Sequence, residues 1–273
     1  MTRMPHFSQI LILLLSFQCF FTTGSATAQV NFMGKPGMGI IPKPDDGLSE
    51  KKIWLGYSRL PQLYAKNNFM NRLSDENYFF LGFNATEWLR INAVLTRPER
   101  IERIGIGDRH LDLQFRLLKE TETLPNVSLT VTPFIGGSNF MEHNSLMISK
   151  TLALTTKLKF EPVVGYGLKK MFTKPIEGRG LPTEKYGWFD RKSYGNEYLY
   201  GLFGGLQATY DEWLYISAEY DSKYLNFTAG ALIKKRIFLQ ATYMNFDQLA
   251  ITFGYRIQLD RAPHDIKRYA KRP

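Results

Sequence analysis

The stretch that decides the fold is residues 249–259, LAITFGYRIQL, in which apolar side chains alternate with polar or small ones. Successive side chains of a β-strand point to opposite faces of a sheet, so this segment has one apolar face and one polar face. The same alternation recurs at 89–96, 110–117 and 157–168. No long segment after residue 28 shows the i, i+3, i+4, i+7 spacing of an amphipathic helix. The sequence therefore predicts an all-β fold.

Many of the predicted strands are long enough to cross a membrane. A tilted β-strand needs about 9–11 residues to span a bilayer, whereas strands in soluble proteins average about five or six. The first eight connections alternate between long and short, as in outer-membrane barrels, whereas the ninth and eleventh are both short. The twelve predicted strands are 52–58, 78–84, 87–96, 109–119, 125–135, 144–154, 156–168, 196–209, 212–221, 224–233, 235–244 and 247–259.

Aromatic residues near the predicted strand ends, such as Trp88, Trp213 and Tyr243, suit the two interfaces of a bilayer. A sheet in hydrocarbon cannot leave an edge of unpaired N–H and C=O groups, so it must close. We therefore expect a transmembrane antiparallel up-and-down β-barrel of about 12 strands over residues 52–259. A secreted soluble β-sandwich or β-barrel is the alternative.

Three segments are predicted to lie outside the barrel. Residues 1–28 resemble a cleaved signal peptide, with Arg3, a short apolar stretch and an Ala-Thr-Ala end. That stretch is shorter than the roughly 20 residues of a spanning helix, so we expect a cleaved export signal. Together with the predicted barrel, it predicts a location in the bacterial outer membrane. Residues 29–51 form a Gly/Pro-rich N-terminal segment, and residues 260–273 form a basic tail expected in the periplasm.

Composition narrows the function classes. The 273 residues include 35 Lys and Arg against 25 Asp and Glu, and aromatics make up 14%. This chain is too apolar and aromatic to be disordered, and its single cysteine excludes a disulfide framework or a thiolate zinc site. We expect no cofactor and no metal. Nucleic acid is not an expected partner of an exported chain, despite the net charge of +10.

Two motifs resemble the YjbH family. Residues 34–42, GKPGMGIIP, are similar to its N-terminal Gly-x-Pro-Gly element, and residues 105–118, GIGDRHLDLQFRLL, resemble its Gly-Asp-Arg turn and the strand that follows. The resemblance runs from about residue 34 to residue 170. It implies a bacterial outer-membrane β-barrel associated with exopolysaccharide or capsule production. Larger members carry two tandem barrels, whereas this chain has room for one, so a single-barrel form is expected. It implies no catalytic residue.

If the apolar faces meet lipid, the polar faces line a lumen that carries both signs of charge. A cationic lumen would concentrate an anionic polymer. Alternatively, these groups pair with one another and plug a narrow barrel. The acidic members are Asp112, Glu161 and Glu219. The predicted polymer contacts in the lumen are Arg90, Arg116, Lys157, Lys159 and Arg256.

The connection between residues 169 and 196 interleaves cations with aromatic rings. It would either grip an acidic polysaccharide or fold back over the pore. Its predicted contacts are Arg179, Lys185, Trp188 and Arg191, and a separate structural turn is predicted at Gly107, Asp108 and Arg109.

His143 and Ser145 are two residues apart, so they share a strand face, which is expected to point inward. A His-x-Ser pair is a weak candidate for hydrolysis, since no third group to orient the histidine can be named.

The interpretation that fits most features is an outer-membrane barrel without enzymatic activity. It would act in exopolysaccharide or capsule biosynthesis or export as a scaffold or conduit. Its expected contacts are outer-membrane lipid, acidic polysaccharide and other polysaccharide-export proteins. The alternatives are a barrel hydrolase acting on lipid or glycan, and a secreted soluble carbohydrate-binding β-protein.

Overall fold

The computed structural model describes residues 29–44, 48, 51–65, 74–99, 105–133, 142–173, 186–194 and 196–259. The predicted signal peptide and basic tail lie outside these ranges. The described residues include one short 3-10 helix (Arg191–Tyr194). The strands are β1 (Lys52–Leu60), β2 (Glu76–Asn84), β3 (Leu89–Pro98), β4 (Arg109–Leu118), β5 (Asn126–Val131), β6 (Ser145–Ser149), β7 (Leu152–Ala153), β8 (Leu158–Gly167), β9 (Lys170–Thr173), β10 (Gly187–Asp190), β11 (Gly201–Tyr210), β12 (Leu214–Tyr220), β13 (Leu225–Ile233), β14 (Ile237–Met244) and β15 (Gln248–Gln258).

Twelve of these strands close into one antiparallel barrel. The spatial order follows the chain, β1 through β6, then β8, then β11 through β15. The ring is complete because β15 pairs with β1, where Lys52 lies opposite Gln258, and β11 pairs with β8, where Gly201 lies opposite Gly167. Each of the 12 predicted segments overlaps one barrel strand, and the predicted fold class is confirmed. The predicted strand 144–154 joins β6 and the short β7 into one, and the prediction missed the separate β9–β10 hairpin.

The barrel turns rows of large apolar side chains outward. In β15, Leu249, Ile251 and Phe253 are each about half exposed on the outer face, whereas Ala250 and Thr252 are buried inside. A soluble barrel has the opposite arrangement, because exposed apolar area costs about 25 cal/mol per Å² in water. A surface of this kind is stable where lipid covers it. Within the described ranges, no helix has the length and apolar character needed to span a bilayer.

The two rims of the barrel differ in their connections. The rim here called the short-turn rim carries the turns at 85–88, 211–213 and 234–236. Two of these are tight turns in which both central residues have positive φ, as at Lys234 and Lys235 (50° and 58°), a conformation that matches the twist of a hairpin. The opposite long-loop rim carries the connection from β8 to β11, which includes the β9–β10 hairpin.

Candidate functional site: a lumen filled by the N-terminal segment

Residues 29–44, here called the plug, lie inside the barrel, and every one of them is buried. The segment folds back on itself through backbone hydrogen bonds from Phe32 to Gly39 (2.9 Å) and from Lys43 to Pro36 (2.8 Å). Proline lacks the N–H that a strand ladder needs, so these residues do not extend the sheet. The Gly/Pro-rich segment predicted only as a non-barrel end therefore occupies the lumen.

The side chain of Asn31 fixes the shape of the plug. Its oxygen accepts hydrogen bonds from the backbone N–H groups of Met33 (3.0 Å) and Lys35 (3.1 Å), and its amide nitrogen donates to the carbonyl of Ile40 (3.0 Å). Buried backbone groups need hydrogen-bond partners. The Asn31 side chain supplies partners for three of them inside the lumen.

A carboxylate on the barrel wall receives one turn of the plug. The two oxygens of Glu219, on β12, accept the backbone N–H groups of Gly39 (2.9 Å), Ile40 (3.0 and 3.1 Å) and Ile41 (2.8 Å). Hydrogen bonds from N–H groups to a charged acceptor are among the stronger ones in proteins. The Glu219 side chain therefore anchors the plug by binding the plug's backbone N–H groups.

Lys35 forms the second anchor. Its ammonium lies 3.1 Å from a carboxylate oxygen of Asp112 and 2.5 Å from Nε2 of His143, and all three side chains are buried. The hydroxyl of Thr132 donates to the other oxygen of Asp112 (2.6 Å), and His110 contacts the first (3.2 Å). A buried charge requires this kind of compensation, so the cluster depends on the plug being in place.

Lys43 forms the third anchor, in an ion pair with Glu161 of β8 at the other end of the plug. Three wall side chains also donate hydrogen bonds to plug carbonyls. Trp54 donates to Gly34 (2.6 Å), Asn92 to Met33 (2.9 Å) and Gln114 to Lys43 (2.9 Å). Strands β1, β3, β4, β8 and β12 thus all hold the plug.

The predicted cationic lumen residues do not form one continuous path. Arg90 is buried with its guanidinium 4.8 Å from the Trp54 ring, and buried Arg256 donates to the carbonyl of Lys235 (2.9 and 3.2 Å). Arg116 is half-buried, Lys157 is exposed, and Lys159 pairs with Glu212 at the short-turn rim (3.4 Å). Arg90, Arg256 and Lys52 line one small cavity against Val30 and Pro36 of the plug.

The predicted loop contacts separate into different roles. Trp188 is 60% exposed on β10, whereas Arg191 is fully buried. The Arg191 guanidinium donates to the carbonyls of Leu168 (2.6 Å) and Tyr198, and to the side-chain oxygen of Asn196 (3.1 Å). It therefore holds the loop together and does not face solvent, which departs from its expected contact with polymer. Arg179 and Lys185 lie outside the described residues.

Two titratable groups of this loop region are shifted by burial. Burial raises the pKa of Glu142 to about 7, although the nearby positive charge of Arg191 acts against the rise. Burial also lowers the pKa of Arg191 to about 10, opposed by the charge of Glu142. The pair lies at the base of the long-loop rim, and Asn196 donates to the Glu142 carbonyl (2.7 Å).

The predicted turn at Gly107 and Asp108 packs against the end of β3. The N–H of Gly107 donates to the carbonyl of Thr96 (2.7 Å), and the N–H of Asp108 donates to the Thr96 hydroxyl (2.7 Å). Asp108 is buried, and Arg109 begins β4 with an exposed side chain. The arrangement supports a structural role for the turn.

The His143 and Ser145 pair faces inward, as expected. His143 packs edge-on against Tyr198, with ring centroids 5.1 Å apart, and its Nε2 contacts Lys35 and not Ser145. Both side chains are buried. This geometry assigns His143 to the Lys35 anchor and gives no support to hydrolysis.

The comparisons with known proteins bear on this barrel. One solved structure that it resembles is the COG4313 outer membrane channel from Pseudomonas putida F1, with 10% identity over 86% of this chain and 99% of that chain. The TM-score is 0.35. No significant match was found among curated proteins.

A family model gives the decisive match. The model described as exopolysaccharide biosynthesis protein YbjH covers residues 84–257, from the end of β2 almost to the end of β15. The match includes the Gly-Asp-Arg motif at 107–109, starts after the element at 34–42, and extends well beyond residue 170. The chain belongs to the YjbH exopolysaccharide biosynthesis family.

Proposed function

We propose that this protein is a non-enzymatic outer-membrane barrel of exopolysaccharide production or export, whose lumen is held closed by its own plug. Membership of the exopolysaccharide biosynthesis family supports the cellular role. The outward apolar face supports insertion in lipid, and a closed barrel suits the bacterial outer membrane. Contact with acidic polysaccharide and with other export proteins belongs to the same proposal.

The main support for a closed lumen is the way in which opposite charges are divided between plug and wall. The wall supplies the carboxylates of Asp112, Glu161 and Glu219, whereas the plug supplies the ammonium groups of Lys35 and Lys43 and the N–H groups near Ile40. These groups satisfy one another only when the plug is seated. The lumen is therefore a built receptor for residues 29–44.

The scaffold and conduit roles make different demands on the plug. A barrel filled in this way works as a scaffold without further change. It works as a conduit only after the plug leaves, when the exposed carboxylates of the wall regain water. Because buried ion pairs are roughly balanced against solvation, release of a plug of this kind is energetically accessible to an external trigger such as a partner protein.

Planar-bilayer conductance tests this proposal. We expect the native barrel to show rare, brief openings, and a variant lacking residues 29–44 to show stable conductance steps. Addition of oligogalacturonate, an acidic oligosaccharide, and of maltohexaose, a neutral one, measures which polymers enter the opened lumen. Stable steps of the same size from both the native protein and the deletion variant would contradict a lumen closed by the plug.

A further inference from the structure

The β9–β10 hairpin on the long-loop rim carries three exposed aromatic rings on one face. Phe172 of β9 pairs directly with Trp188 of β10, and Tyr186 lies two residues before Trp188, so all three side chains point the same way. Their exposed fractions are 41%, 60% and 51%. Here this set of rings is called the aromatic platform.

The rings of the platform contact one another. Phe172 and Tyr186 stack with centroids 5.9 Å apart and planes 16° from parallel. Phe172 and Trp188 meet edge-on at 5.6 Å. Mutual packing restricts ring rotation, so the platform presents a preformed apolar surface whose ordering cost is already met before a ligand arrives.

The base of the hairpin fixes the platform to the barrel. Met171, between Lys170 and Phe172, is fully buried. The N–H of Arg191 donates to the carbonyl of Lys169 (2.9 Å), and the buried Arg191 guanidinium binds the carbonyl of Leu168 just beyond the end of β8. The two chain ends of the hairpin, before β9 and after β10, are therefore both held at the barrel mouth.

Polar groups border the platform on the same face. Asp190 is directly paired with Lys170 in the hairpin register, and both are exposed. A carboxylate oxygen of Asp190 accepts a hydrogen bond from the hydroxyl of Tyr200 (2.8 Å), which lowers the pKa of Asp190 and keeps it ionised. The ammonium of Lys169 lies 5.4 Å from the centroid of the Tyr200 ring.

These charges distinguish the platform from the lipid-facing belt. Phe253 and its neighbours in β15 are flanked on the outer face by other apolar side chains. The platform instead has the exposed charged side chains of Lys170 and Asp190 on the same face as its rings, and charged side chains are costly in hydrocarbon. An exposed apolar patch with a polar rim is typical of a ligand-binding surface.

We propose that the aromatic platform is a saccharide-binding site at the mouth of the barrel. The C–H face of a pyranose ring packs flat on an aromatic ring, as other apolar groups do, while its hydroxyls reach Asp190 and Tyr200. Lys169 and Lys170 favour a sugar that carries carboxylate or phosphate groups. This inference rests on the proposed function, because only that function identifies the sugar as part of an exopolysaccharide. The sugar core of lipopolysaccharide has the same chemistry and would fit the same site.

Binding measurements on the full-length barrel in detergent test the site, with isothermal titration calorimetry and intrinsic tryptophan fluorescence as readouts. The probes are oligogalacturonate, maltohexaose and the core oligosaccharide released from lipopolysaccharide. We expect the native protein to bind an acidic probe, and Trp188→Ala to weaken binding about tenfold or more, as loss of a central aromatic anchor does. Trp188→Phe keeps a ring and should retain most of the affinity.

Trp213→Ala is the matched control, because Trp213 is also an exposed tryptophan but lies on the short-turn rim. The heat-dependent gel mobility of each variant checks that the barrel is folded. Preference for the lipopolysaccharide core over oligogalacturonate would support the site and identify its ligand as membrane lipopolysaccharide and not as an exported polymer. Equal affinity of native and Trp188→Ala proteins, equal losses in Trp188→Ala and Trp213→Ala, or no binding of any probe would overturn it. None of these results alters the conductance test of the plug, so the two proposals fail separately.

Discussion

Replacement of Lys35 by methionine tests one of the buried charged links between plug and wall. Methionine has a similar length without the ammonium group, so the change removes the 3.1 Å contact with Asp112 and leaves the surrounding packing nearly intact. Both side chains of the pair are only 1% exposed. The carboxylate of Asp112 then stays buried without its cation as long as the plug is seated.

The expected size of the effect follows from the remaining partners of Asp112. Loss of one member of a buried ion pair costs about 3–5 kcal/mol. Asp112 keeps the hydroxyl of Thr132 (2.6 Å) and the contact with His110 (3.2 Å), so the lower end of this range applies. The cost falls on the seated state, because water solvates Asp112 once the plug has left. A loss of about 3 kcal/mol raises the ratio of open to closed barrels about 100-fold.

Single-channel recording measures this ratio as the open probability. The double variant Lys35→Met/Asp112→Leu is the matched control, because replacement of both charges by apolar groups is roughly neutral. We expect frequent openings from the single variant and a return toward native behaviour in the double variant. Native open probability in Lys35→Met, or equal opening of the single and double variants, would refute the argument.

Three further changes test separate parts of the structure. Gly39→Ala places a Cβ 2.0 Å from the Thr228 hydroxyl oxygen inside the lumen, so we expect overpacking of about 1–3 kcal/mol and more frequent openings in bilayers. Gly105→Ala is its control, because a Cβ there meets nothing within 4 Å, and equal behaviour of the two variants would contradict the seated plug. Arg191→Met leaves the carbonyl of Leu168 without its guanidinium donor, so hydrogen exchange at the base of the β9–β10 hairpin should accelerate at least tenfold, while exchange in β15 stays unchanged. Glu142 holds its proton more tightly in the folded state than in the unfolded state, because its pKa is raised from 4.5 to about 7. Its contribution to stability is therefore lost as the pH rises from about 4.5 to 7, and Glu142→Gln should flatten that slope and stabilise the barrel at pH 8 by about 1 kcal/mol after solvent screening. Denaturant unfolding at pH 5, 7 and 8 measures this, and an unchanged slope in the variant would argue against a buried Glu142.

The strands were predictable from the sequence because their pattern is local. In residues 249–259 the period of two assigns each side chain to a face without knowledge of any partner, and the structure places Leu249 and Thr252 on the predicted faces. Closure also follows from physics, since a sheet in lipid has no acceptable edge. Closure applies to all twelve barrel strands. The period of two is clear in segments such as 249–259 but not in β2, where residues 78–81, YFFL, are apolar on both faces.

The plug was not predictable in the same way. Residues 29–44 have no periodicity, and their position depends on contacts with strands far away in sequence, such as Glu219, which lies 180 residues from Gly39. The segment does contain a signal, because Lys35 and Lys43 are cations in an otherwise uncharged, Gly/Pro-rich stretch. The carboxylates that the strand pattern places on the inward face, at Asp112, Glu161 and Glu219, are the matching half of that signal.

The loop residues show the limit of composition as a guide. Trp188 and Arg191 are three residues apart in a segment rich in cations and rings, and both were predicted to touch polymer. The structure exposes one and buries the other, because Arg191 is needed to satisfy carbonyls where the loop leaves the barrel. Phe172 joins Trp188 only through the register of β9 and β10, which the sequence does not reveal.

Hydrogen–deuterium exchange of the barrel reconstituted in lipid vesicles tests the central claim most directly, at the amides of Gly39, Ile40 and Ile41. These three N–H groups donate to Glu219 within the lumen. The account predicts that they exchange as slowly as amides in the middle of β12 and β13, and that Glu219→Gln, which weakens the acceptor, makes them faster. Complete exchange of residues 30–44 within seconds at neutral pH, at the rate of an unstructured peptide, would contradict a plug seated in the barrel.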